Sequence, residues 1–92
     1  MSHDSEHQFE VRPNAKFLHI HHVQSGEYVG AMWKDSTPEG LDIVLNLATA
    51  AYFSGIEQKG VVFGRLPERV ISICRRANQL GMRHGLKAKR GK

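Results

Sequence analysis

The first third of the chain alternates apolar and polar residues, and a rhythm of three to four residues takes over after it. Residues 16–24 (KFLHIHHVQ) read as a strand, with Phe17, His19, His21 and Val23 on one face and Leu18, Ile20 and His22 on the other. Ser25-Gly26 is turn chemistry, and residues 27–34 (EYVGAMWK) resume the extended pattern, so 16–34 is predicted as a hairpin. Leu18 and Ile20 are assigned inward, because the opposite face carries two histidines. Upstream, Pro13 stops the brief alternation of Phe9 and Val11. Residues 1–15 therefore read as a loosely ordered segment that adds at most an edge strand over 9–12.

The stretch DSTPEG (35–40) opens a helix predicted over about 38–53. Either Ser36 with Glu39 forms a capping box, or Thr37 caps with Pro38 at the first helical position. Ser54-Gly55 is read as its end. Leu41, Val44, Ala48 and Ala51 form one apolar stripe, widened by Leu45 and Tyr52, and Ile43, Leu47 and Ala50 form a second. Only Asp42, Asn46 and Thr49 mark a wet face. Such a helix is expected to be covered on more than one side, either between a sheet and a second helix or by a partner.

A short strand is expected at 61–63, between Gly60 and Gly64, and a second helix over about 67–80. Val70, Ile73, Cys74, Ala77 and Leu80 supply its core stripe, with Gly81 or Gly85 as its end. Arg69, Ser72, Arg76, Gln79 and Arg83 form the opposite, cationic stripe. Residues 85–92 (GLKAKRGK) read as a basic tail. The expected architecture is α+β: residues 16–84 form one small domain, an antiparallel sheet of three or four strands with two helices on it.

Composition changes this picture little. Ninety-two residues, 40% hydrophobic and 24% charged, suit one small globular domain with a modest core. One cysteine excludes an internal disulfide and a cysteine-ligated zinc site. The N-terminus has no apolar signal-peptide core, and no stretch approaches the ~18 apolar residues of a membrane span. A soluble intracellular protein is expected.

Charge changes it more. Residues 1–68 hold five basic residues and all nine acids, a balance of −4, whereas 69–92 hold eight basic residues and no acid. Such asymmetry points to a partner rich in phosphates or carboxylates, and to no reaction. Arg69, Arg75, Arg76, Arg83, Lys87, Lys89 and Arg90 are the candidate binding residues, with Lys92 beyond them. The bland alternative is a solvated helix face with a solubilising tail. Arginine outnumbers lysine on the helix itself, and guanidinium forks suit bidentate contact with phosphate or carboxylate. Phosphate contacts carry no sequence information, so sequence-specific recognition is not implied.

Other candidates are weaker. His19 and His21 share a strand face at a zinc-ligand spacing, but no third ligand can be placed, and outward surface histidines explain them as well. Cys74 sits on a core stripe without a nearby base and reads as a small hydrophobe. The two glycines before the second helix lack a phosphate-loop fingerprint. Trp33 and Tyr28 are able to stack on a base, yet one tryptophan in a hairpin is usually packing. Helix-turn-helix geometry fails on its linker, since about twelve residues separate the two helices instead of three or four.

The size, the stretch TPEGLDIVLNLATAAYFSG (37–55) and the arginine-rich RVISICRRANQLGMRHG (69–85) give a chain that resembles the small anti-CRISPR proteins of bacteriophages, those that disable the type I-F surveillance complex. These proteins share no signature, so no functional residue is carried over. The resemblance implies a non-enzymatic inhibitor, without cofactor or small-molecule substrate, in the host bacterial cytoplasm. Its partners would be Cas subunits of that complex and its guide RNA, and it would block pairing of guide RNA with target DNA. Many such inhibitors are acidic DNA mimics; the positive end of this chain departs from that pattern and would instead face guide RNA or acidic protein. The alternative is a free-standing nucleic-acid-binding protein of a phage or plasmid. The −4 half favours the inhibitor, because it adds nothing to a dedicated nucleic-acid binder.

Overall fold

The computed structural model describes the backbone of residues 7–90 and the side chains of residues 7–88. The loose ordering expected of residues 1–6 and the tail cation Lys92 lie outside the described residues. Three strands, β1 (Phe9–Pro13), β2 (Phe17–His22) and β3 (Tyr28–Trp33), form an antiparallel meander in that order. Two helices, α1 (Pro38–Ile56) and α2 (Glu68–Arg90), pack side by side on one face of it. This is the expected α+β architecture.

The inward assignment of β2 holds. Ile20 is fully buried and Leu18 half-buried, and His22 on the same face is fully buried as well, whereas Phe17, His19 and His21 project from the other side. β1 falls within the stretch read as loose, yet pairs with β2 along its whole length, from Phe9↔His22 to Pro13↔Leu18. Its anchor is Phe9, only 2% exposed, which meets the Tyr52 ring edge-on at 5.9 Å. Between β2 and β3 the register slips at Ile20/His21, and the extra residue, Val29, is buried. Gly30 follows at φ +150°, and a Cβ there would lie 2.6 Å from Ile73 Cγ1. Only glycine tolerates both that backbone and that contact.

Thr37 is the cap of α1: its hydroxyl accepts the Gly40 N–H at 3.0 Å, with Pro38 opening the helix. Ser36 instead donates its hydroxyl to the Trp33 carbonyl. Val44, Ala48, Ala51 and Tyr52 join Ile20, Ile73, Cys74 and Leu80 in the core, each large aliphatic member contributing about 1.5–3 kcal/mol. Two expectations for α1 need correction. It lies beside α2 instead of between sheet and helix, so Ile43 remains 58% exposed. Thr49 is buried, because its Oγ1 accepts the Gln8 N–H at 3.0 Å.

Two further expectations, the ends of both helices, fail for one physical reason. Gly55 does not end the first helix, and neither Gly81 nor Gly85 ends the second; α2 continues ten residues past Leu80. All three glycines sit where the helices cross. A Cβ on Gly55 would lie 2.7 Å from Met82 N, one on Gly81 would overlap the Tyr52 carbonyl, and one on Gly85 the Ile56 carbonyl. These glycines permit backbone approach and cap nothing. Gln58, at φ +64°, closes α1, and its amide donates to the carbonyls of Gly55 and Met82. The strand expected at 61–63 is also absent. Val61, Phe63 and Leu66 pack on the helices, where no strand edge offers them partners.

Candidate nucleic-acid interface

Core residues Val70, Ile73, Ala77 and Leu80 turn one side of α2 inward and leave a cationic arc of about a third of its circumference outward. Arg75, Arg76, Arg83 and Lys87 are exposed on that arc. Among the described residues no carboxylate pairs with Arg75, Arg76 or Lys87. Lys89 and Arg90 lie on the last turn of the same helix and not in a separate tail.

Arg75 lies 5.6 Å from the Phe63 ring centre, and Arg69 and Arg83 are engaged more closely. Arg69 donates to the Ala31 carbonyl at 3.0 Å, and its guanidinium stacks 4.1 Å from the Trp33 ring centre. It is wrapped around the edge of β3 and acts as a clamp between α2 and the sheet. Arg83 meets Glu27 at 3.1 Å, so the acid that the basic segment lacks in sequence arrives from the hairpin turn. Between these two, a cleft of about 450 Å³ runs along β3 and α2, lined by Tyr28, Ala31, Arg69, Ser72 and Arg76, with Glu68 as its one carboxylate. Arg76 and Tyr28 also border the next, smaller cleft, which reaches Glu27 and Arg83.

A polar chain lies behind that end of the cleft. Glu27 Oε2 is 3.5 Å from His84 Nε2, and His84 Nδ1 is 2.8 Å from the Tyr52 hydroxyl. The Tyr52 ring lies 4.5 Å from that of His22, whose Nδ1 is 2.9 Å from Ser25 Oγ. Carboxylate, imidazole and phenol in line are the elements of a proton relay. Here, however, burial pushes the Tyr52 phenol up and Glu27 adds to that, while only 5% of the residue reaches solvent. The chain therefore staples the hairpin turn to both helices and presents no nucleophile. Nothing in the spacing of residues 22, 27, 52 and 84 signals their meeting.

This staple makes the fold acid-sensitive. Burial holds the His22 imidazole below its ordinary value; neighbouring His84 pushes the same way and Glu27 opposes. The unfolded chain thus takes up the proton first as pH falls through about 6.5, and stability present above that pH is lost below it. Partial burial pushes Glu27 up, but Arg83 and then His84 outweigh it and hold the carboxyl low, which adds a further loss below its ordinary 4.5. Thermal midpoints should fall from pH 7.5 to pH 4. In His22→Gln the midpoint should be lower throughout, with a flatter profile between pH 7 and 5.

Cys74 is buried in the core, and burial pushes its thiol up. The native thiol should resist iodoacetamide. Cys74→Ser should lose about 1–3 kcal/mol of stability, for a hydroxyl without a partner, and keep full binding. His19 and His21 sit 6.3 Å apart, ring to ring, on the outer face of the sheet; among the described residues no group of three His, Cys, Asp or Glu side chains gathers as a metal site. No described helix is long and apolar enough to cross a membrane. No family model, curated protein or solved structure matches the chain.

Proposed function

We propose that this protein is a non-enzymatic inhibitor that binds a nucleoprotein through the cationic arc of α2, and that its target is a type I-F surveillance complex. The observation that carries the reading is the group Arg75, Arg76 and Lys87, exposed on an ordered helix without a carboxylate partner among the described residues. These three cations share one arc, with the Glu27-paired Arg83 beside them, and so sum to a positive field along one side of the helix. Guanidinium groups held on a helix present their donor forks in fixed geometry, which suits the phosphates of a guide strand. The choice of complex rests on the resemblance of the 37–55 and 69–85 stretches. Target-DNA binding by the surveillance complex, measured with and without the protein, tests it. Wild type should block DNA, and a folded Arg75→Glu/Arg76→Glu variant should not. Equal blocking by both would remove α2 from the function. Failure of wild type to bind the complex, with retained affinity for free oligonucleotides, would favour the free-standing nucleic-acid binder.

A further inference from the structure

We infer that the outer face of the sheet is a stacking platform for the unpaired bases of a single-stranded nucleic acid, whose backbone continues through the β3–α2 cleft to the arginines of α2. The inference rests on the reading that α2 binds phosphates, and it adds the form of the ligand.

Both helices pack on the inner face of the sheet, and the outer face carries Phe17, His19, His21, Tyr28 and Trp33. Tyr28 is 47% exposed and Trp33 53%, so both rings are open to a ligand. The rings are already fixed. Tyr28 is met edge-on by His19 at 5.2 Å and by His21 at 5.6 Å, and Phe17 lies 5.4 Å from Trp33. His21 Nδ1 is 3.0 Å from the Gly26 carbonyl, His19 Nε2 is 3.0 Å from the Asn14 amide, and Arg69 covers one face of Trp33. Side chains held in place lose little rotamer freedom on binding, so stacking on them is favoured. Base stacking on such rings tolerates any sequence, because every base has a π-face.

Charge selects the same ligand. Lys16 and Lys34 are exposed at the Phe17–Trp33 end of the hairpin beside Arg69, Arg12 and Glu10 offset each other at 2.6 Å, and Glu68 is the one acid of the cleft, facing Arg69 and Arg76 in its lining. An acidic peptide would satisfy those cations but not the rings, whose negative π-faces repel carboxylates. Duplex DNA would satisfy the cations and keep its bases stacked inside the helix. A single strand uses both, and Tyr28, which borders platform and cleft alike, joins the two.

Trp33 is the one tryptophan of the chain, so intrinsic fluorescence reports directly on the platform. The titrants are twelve-nucleotide oligo(U), oligo(dT), a twelve-base-pair duplex and polyglutamate. Oligo(U) and oligo(dT) should both quench Trp33 and bind at least tenfold more tightly than the duplex, and their ratio shows whether ribose matters. Tyr28→Ala should weaken single-strand binding about tenfold without touching duplex affinity, and Tyr28→Phe should restore it. Arg75→Glu/Arg76→Glu should weaken single-strand and duplex binding together. If Tyr28→Ala leaves single-strand affinity within twofold, or duplex binds as tightly as single strand, the platform is overturned while the phosphate reading of α2 stands. If no nucleic acid binds, or polyglutamate binds and quenches as well as oligo(U), both fall.

Discussion

Gly81→Ala should cost about 3 kcal/mol or more, an unusually large loss for one added methyl. In an isolated helix the same change would gain about 1 kcal/mol, since alanine is the better helix former. The sign reverses because the new Cβ would overlap the Tyr52 carbonyl and stand 3.1 Å from Ile56 N. Backbone atoms in a helix cannot rotate aside as a side chain does, so α1 and α2 must separate along their crossing. Overpacking of this kind costs at least 1–3 kcal/mol and opens the Ala77–Leu80 region of the core. Gly85→Ala meets Ile56 in the same way and should behave alike. Gly60→Ala and Gly64→Ala are the controls, as nothing lies within 4 Å of either new Cβ, and both should stay within about 0.5 kcal/mol of wild type. Urea denaturation monitored by circular dichroism measures all four. A Gly81→Ala variant as stable as wild type would mean that the helices do not cross at this distance.

The second large effect is expected at Arg75 and Arg76. On the proposed function, affinity for the surveillance complex should fall as salt rises, with a log–log slope of about −0.7 per phosphate contact on a single strand. Three to five engaged cations give a slope of roughly −2 to −3.5. Reversing both arginines removes two charge-assisted contacts, each worth about 1.5–3 kcal/mol, and places two acids against the phosphates. Affinity should drop by about two orders of magnitude or more, and the slope should flatten by about 1.4. Reversal at Lys92 should cost less. Both arginines are exposed, so the variant should fold normally. An unchanged salt slope in a folded double variant would leave these arginines as solvated surface.

Local grammar was enough for the hairpin, the inward face of β2 with Ile20 at its centre, a helix start near Pro38 and the core stripe of α2. Each depends on neighbours within a few residues. What escaped depends on distant ones. Glycine in a helical pattern means either a cap or a close crossing, and Gly55, Gly81 and Gly85 resolve that choice only across the two helices. Arg69 and Arg83 looked equivalent to Arg75 and Arg76 along the chain, but the fold returns Trp33 to the first and Glu27 to the second. The outer aromatic face was in view as separate histidines and a lone tryptophan; pairing of β2 with β3 turns them into one surface.

Because α2 runs through its glycines without stopping, the basic end of the protein is carried on a rod. Twenty-three helical residues span about 34 Å, most of the molecule's 43 Å longest dimension. A flexible tail would let each cation search for its own phosphate. On the rod, Arg76 and Lys87 are held about 16 Å apart along the axis. The helix is a ruler: its exposed charges are offered to a partner at a fixed interval.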